Sequence, residues 1–222
     1  MNQFTPFTLT SHSPIFLAGT WINAVSREAE HQIQKNQLVT TIPILKKEWK
    51  VSFEFKANTF GSSFRQLLHM SIGGRGTGRG SKYGDRTPAI WTHSSRGFLI
   101  ASAVNGKYSY AKYFKGLPKT GEWVNIEIGQ EIKSSKMVYF IVIGGTTVLS
   151  TTNSKPAEFK NVKVFTSSNW YTPLSGSIRN FLVENKDDGR LFGMFKILSV
   201  YFKALIVCLI GCRHSPSKTN TC

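Results

Sequence analysis

Trp49-Lys50-Val51-Ser52-Phe53-Glu54-Phe55-Lys56-Ala57 decides the fold. Val51, Phe53 and Phe55 alternate with Lys50, Ser52, Glu54 and Lys56, the period of two that gives a β-strand one apolar and one wet face. Outward from it, short runs of the same kind fill the chain from about residue 37 to 184: RQLLHMSIGG, TPAIWTH, FLIASAVNG, YSYAKYF, WVNIEIGQE, MVYFIVIGG, TVLSTTN, FKNVKVFTSS and SIRNFLVE. No helical periodicity interrupts them. Asn105-Gly106 and Gly144-Gly145 separate alternating runs, and such pairs supply the positive φ that two-residue hairpin turns need. Roughly ten strands on short connections run antiparallel, and one open sheet would leave an apolar face unburied, so two sheets must pack or a barrel must close.

The expectation is an all-β, antiparallel two-sheet sandwich. Its core draws on Val51, Phe53, Phe55, Leu68, Met70, Ile90, Leu99, Val124, Ile126, Ile128, Tyr139, Ile141, Ile143, Val162, Val164, Ile178 and Phe181. Residues 1–36 lack a clear period and form an N-terminal extension or an edge strand. Residues 37–186 form the sandwich, and 187–222 a tail that is apolar and basic, with room for a short C-terminal helix.

Composition agrees. With 222 residues, 41% hydrophobic, 13% aromatic and 18% charged, the chain is folded rather than disordered. Twenty-eight Lys and Arg against 12 Asp and Glu give a net charge of +16, so anionic partners are attracted. No block of five like charges occurs, and the bland account is cations solvated on outer strand faces. The three cysteines, Cys208, Cys212 and Cys222, all lie in the tail, which leaves the redox compartment open. The first 20 residues have neither a basic start nor a long apolar run, so they carry no export signal. Leu191–Cys212 is long and apolar enough to reach across a bilayer, yet Lys196 and Lys203 offset much of the gain. Spaced seven apart, the two lysines share one helical face, which fits an interfacial helix, a snorkelling span or an unselected tail.

The order of elements Gly121-Glu122-Trp123-Val124-Asn125-Ile126-Glu127-Ile128, Tyr139-Phe140-Ile141-Val142-Ile143-Gly144-Gly145, Phe159-Lys160-Asn161-Val162-Lys163-Val164 and Gly176-Ser177-Ile178-Arg179-Asn180 resembles the second half of a concanavalin A-like, laminin-G-like jelly roll. The resemblance covers roughly residues 37–184. It implies a jelly-roll sandwich acting as a lectin-like or adhesion module, outside cells or on the cell surface, with a glycan or an extracellular protein as partner. Sulfated or sialylated ligands would suit the basic surface.

Binding residues concentrate on loops of a rigid sandwich. Lys82-Tyr83-Gly84-Asp85-Arg86-Thr87-Pro88 brings an acid, an aromatic and two cations to a loop-strand junction. With His93, Asn105 and the pair Trp170-Tyr171, it makes Tyr83, Asp85, Arg86, His93, Asn105, Trp170 and Tyr171 the candidate ligand-binding set. Trp170-Tyr171 either offers a platform to a sugar ring or plugs the end of the sandwich. Calcium, frequent in such loops, needs six to eight oxygens, and residues 60–120 hold only Asp85 as a carboxylate. A site there would call on carbonyls such as that of Asn105. His69 and His93 lack partners at metal-ligand spacing, and no cofactor is expected. GGRGTGRGSK (Gly73–Lys82) has Arg79-Gly80 where a phosphate loop needs Lys-Ser/Thr, and no motif for sequence-specific nucleic-acid binding is present.

An enzymatic alternative rests on Glu127 and Glu131, four apart on one strand face, as in concanavalin A-like glucanases. In this chain Gly129 stands where such a pair has an Asp between its members. The expected function is thus non-enzymatic recognition of a glycan or extracellular protein. The alternatives are a glycoside hydrolase using Glu127 and Glu131, and a membrane-tethered adhesion subunit held by Leu191–Cys212.

Overall fold

The computed structural model describes residues 19–73 and 82–187. Their regular structure is entirely β. Strands β1 (Trp21–Arg27), β2 (His31–Gln32), β4 (Trp49–Thr59), β9 (Trp123–Lys133), β10 (Lys136–Ile143), β11 (Thr146–Thr152) and β14 (Ser175–Lys186) form sheet I, ordered β1-β14-β4-β9-β10-β11 with β2 also on β14. Strands β3 (Leu38–Leu45), β5 (Arg65–Ser71), β6 (Ala89–His93), β7 (Gly97–Val104), β8 (Lys107–Phe114), β12 (Phe159–Phe165) and β13 (Thr172–Pro173) form sheet II, ordered β3-β12-β5-β6-β7-β8 with β13 on β5. The protein is an antiparallel two-sheet sandwich. The strand pairing departs from that rule once, where the two-residue β13 runs parallel to β5.

The deciding stretch behaves as its pattern dictates. Along β4, Trp49, Val51, Phe53, Phe55 and Ala57 are buried, and the residues between them are half-buried. Phe55 meets Phe98 of sheet II edge to face at 5.7 Å, and Phe53 meets Phe181 at 6.3 Å. Between the layers the Tyr139 and Ser102 hydroxyls share a 2.6 Å hydrogen bond. Burial pushes that phenol well above its usual range. Most of the expected core is fully enclosed. Val124 and Ile143 pack at its margin, whereas Leu99 faces the other way, onto a second cluster outside the sandwich interior.

The compact unit runs from Trp21 to Lys186, so the sandwich begins before residue 37. β1 pairs with β14 as the edge strand of sheet I, and β2 joins β14 further along. Pro43 lies in β3, an edge strand of sheet II, where a missing N–H costs no ladder bond. The Asn105-Gly106 and Gly144-Gly145 turns have positive φ throughout, 57° and 74°, then 55° and 78°. A third hairpin, β9 to β10, turns on Ser134 and Ser135 at φ 48° and 64°. In the other unit, Asp187 N–H donates to Thr20 O at 2.8 Å. The C-terminal helix and the Leu191–Cys212 membrane segment lie outside the described residues. Among those described, no helix is long and apolar enough to cross a membrane.

Candidate ligand-binding face

β6 places Ile90 and Thr92 toward the interior and Ala89, Trp91 and His93 on the outer face of sheet II. Cross-strand register extends that face: Ala101 lies opposite Ala89, Leu99 opposite Trp91, and Tyr113 of β8 beyond Leu99. On the other side, Gln66 pairs with Trp91 and His69 with Ala89. A bulge between Gln66 and Leu68 lets β5 present both polar residues outward, with Leu68 and Met70 inward.

Trp91, Ala89 and Ala101 are buried there against Phe64 and Leu99, apart from the main core. The Tyr171 ring meets Trp91 at 5.2 Å, and Phe64 meets His93 at 5.1 Å and Tyr113 at 6.3 Å. Arg86 lies 5.7 Å from the Trp91 centroid and 5.9 Å from that of Tyr108, and hydrogen-bonds the Ser109 hydroxyl. Arg96 stands 6.0 Å over Phe64. Aromatic rings with guanidinium groups over them thus spread across three strands. Tyr171, Tyr108 and Tyr113 are exposed at 37%, 43% and 56%.

Beneath the rings, polar atoms go unanswered. Gln66 Oε1 accepts from the Ser168 N–H at 2.6 Å and the Ser168 hydroxyl at 2.8 Å, but its Nε2 has no partner. His69 Nε2 donates to the Asp85 carbonyl at 2.8 Å, which leaves Nδ1 a bare acceptor, buried and unpartnered. Burial also lowers the pKa of this imidazole. Trp91 Nε1 is unpartnered too. Two donors and one acceptor on one face are therefore buried at a cost of about 1–3 kcal/mol each.

The seven residues singled out from the sequence divide. Arg86, His93 and Tyr171 come together on this face. Asp85 supports it from behind, with its carbonyl on His69 and its Oδ2 accepting from the Lys82 N–H at 2.9 Å. Trp170 is the half-buried neighbour of Tyr171. Tyr83 and Asn105 belong elsewhere. The Tyr83 ring packs on Phe159 at 5.7 Å, and its hydroxyl donates to Lys155 O at 2.6 Å. Asn105 Oδ1 accepts from the Ser154 N–H at 2.6 Å and its hydroxyl at 3.1 Å. Its N–H donates to Asn153 Oδ1, and Asn153 Nδ2 donates in turn to Gln130 Oε1 at 2.7 Å. This chain ties hairpins together, and the oxygen considered for calcium is already spent. Among the described residues no three His, Cys, Asp or Glu gather as metal ligands.

Glu127, Gly129 and Glu131 share the outer face of sheet I. A Cβ on Gly129 would lie 2.6 Å from Trp49 O and 3.0 Å from Phe140 Cζ. The place of a central Asp is therefore filled, and Glu131 is paired with Lys133 at 2.9 Å. Trp91 and Gln66 were the residues that sequence reasoning missed. Their signal is that β5, β6 and β7 read RQLLHMS, AIWTH and GFLIASAV, after Arg65 apolar or polar without an acid or lysine on either face, the mark of a strand covered on both sides.

No protein-family model matches the chain, and no curated protein matches it. Solved structures do. The carbohydrate-binding module CBM40 of the Ruminococcus gnavus IT-sialidase, bound to α2,3-sialyllactose, superposes with a TM-score of 0.51 at 12% identity, covering 78% of this chain and 98% of that one. The native heptameric SAP-like pentraxin of Limulus polyphemus gives 0.48 at 12%, covering 71% and 76%. The receptor-binding domain of botulinum neurotoxin type G gives 0.47 at 11%, covering 81% and 46%. The likeness to the sialidase module shows the fold alone, a jelly-roll sandwich.

Proposed function

We propose that the protein is a non-enzymatic recognition module that binds an acidic glycan on the outer face of sheet II, outside cells or at a cell surface. The observation that carries this reading is the trio of buried, unpartnered atoms Gln66 Nε2, Trp91 Nε1 and His69 Nδ1 on the face where Tyr171 meets Trp91. Two need an acceptor and one a donor. A hydroxyl group is both, and a sugar brings several, together with a C–H face that stacks on aromatic rings.

Charge favours an acidic sugar. The six strands of the main path of sheet II contain no Asp or Glu, and besides the inward-directed Arg65 they carry Lys107, Lys112, Lys160 and Lys163. Every strand carboxylate belongs to sheet I, where Lys50–Glu184 and Arg179–Glu54 are paired at 3.0 and 2.5 Å. A scaffold of this shape holds sialyllactose in the R. gnavus module, so sugar binding is a use to which the fold is put. Fold alone does not choose the ligand.

An array of neutral, sialylated and sulfated glycans tests the proposal. Acidic glycans should be retained at low salt and released as salt rises. Tyr171→Ala should weaken binding by about 1 kcal/mol, roughly five- to tenfold, through loss of stacking. Equal retention of neutral and acidic glycans, or an unaltered Tyr171→Ala profile, would sink it.

A further inference from the structure

A second recognition element lies on the opposite side of β5. Arg65 is the cross-strand neighbour of Thr92, so its side chain leaves the sheet toward the interior, away from Gln66 and Trp91. It does not enter the core. It reaches into a cleft of about 370 Å³ at the end of the sandwich, where Ile33, Leu174 and Pro173 supply apolar wall and Thr59 and Ser175 supply hydroxyls. Ile33 and Leu174 are buried, so the guanidinium stands over a floor of low polarity, where an ion pair is stronger than in water.

Two observations point to a missing ligand. Among the described residues Arg65 has neither an ion pair nor a hydrogen bond from its side chain, although six other cations have carboxylate partners. Gly61 makes space: a Cβ there would run into the Arg65 guanidinium. The cleft thus presents one free fork of donors, the hydroxyl side chains of Thr59 and Ser175 and an apolar wall.

We propose that this cleft binds a small hydroxylated monocarboxylic acid, its carboxylate held bidentate by Arg65. A single cation matches a single charge, and the planar fork matches a carboxylate. The volume suits a small organic molecule rather than a bare ion. The site is separate from the glycan-binding face, and neither reading depends on the other.

Titration of the full-length protein with D-glucuronate, D-glucose and inorganic sulfate, followed by calorimetry and by amide NMR shifts, tests the assignment. Glucuronate should bind and shift the amides of Gly61, Leu174 and Ser175, with glucose and sulfate at least about tenfold weaker. Arg65→Gln should reduce glucuronate affinity about tenfold or more. Gly61→Ala should do the same with the charge retained, which separates positioning from net charge and serves if Arg65→Gln does not fold. Failure of glucuronate to bind would overturn the assignment, as would equal binding of glucose or sulfate. Glucuronate binding abolished by Tyr171→Ala yet indifferent to Arg65→Gln would also overturn it, because the acid would then sit on the outer face.

Discussion

His69 shows how one side chain reports the state of a whole face. It is 2% exposed, donates from Nε2 to the Asp85 carbonyl, and is held neutral by burial, with its pKa below the ordinary histidine value of 6.5. In the unfolded chain the imidazole takes a proton as pH falls through that ordinary value, whereas in the folded protein it does not. The unfolded state then binds more protons, and stability falls on acidification until the lower folded value is passed. Urea midpoints measured from pH 7.5 to 5 should therefore decline, and His69→Gln should flatten the decline. A parallel decline in the variant would refute the assignment. At this scale Arg86, His93 and Tyr171 were legible in the sequence, because a cation, an imidazole and an aromatic near loop ends stand out by type. Trp91 and Gln66 were not. Tryptophan inside an apolar run reads as core, and only the cross-strand register shows that it faces away from Ile90 and Thr92.

The elements were legible where alternation and turn chemistry agreed. β4, β7, β8, β10 and β11 follow from period and from the Asn-Gly and Gly-Gly turns. β3 was obscured by Pro43 and by uncharged residues on both faces, and β1 by its weak alternation at a sheet edge. The β9–β10 hairpin hid its turn in Ser134-Ser135, since serine carries no preference for the left-handed region that both residues occupy. That mismatch leaves room for improvement. Replacing Ser134-Ser135 with Asn-Gly should stabilise the protein by about 1–2 kcal/mol, because left-handed backbone costs roughly that per ordinary residue and little for glycine. A rise in the urea midpoint with an unchanged slope is the expected result, and an unchanged midpoint would show that the turn is unstrained.

For the whole molecule, two packed antiparallel layers followed from strand number and connection length, but the distribution of charge between them did not. Strands of the two sheets interleave along the chain, so the excess of +16 looks diffuse until each strand is assigned to its layer. The strand carboxylates then all fall in sheet I, and the strands of sheet II hold none. Location rather than net charge should govern polyanion binding. Lys163→Glu with Arg96→Glu should lower retention on a heparin column markedly and reduce its salt dependence. Lys133→Glu with Lys136→Glu, an equal change in net charge on sheet I, should alter retention far less. Equal effects from the two pairs would show that the attraction is non-local.

Trp21 and Lys186 are directly opposed on β1 and β14. The polypeptide therefore enters and leaves the sandwich through adjacent doors along a single margin of one layer. Both points of attachment thus belong to sheet I, so a cut before Trp21 and after Lys186 severs no rung of the ladder that carries the aromatic rings.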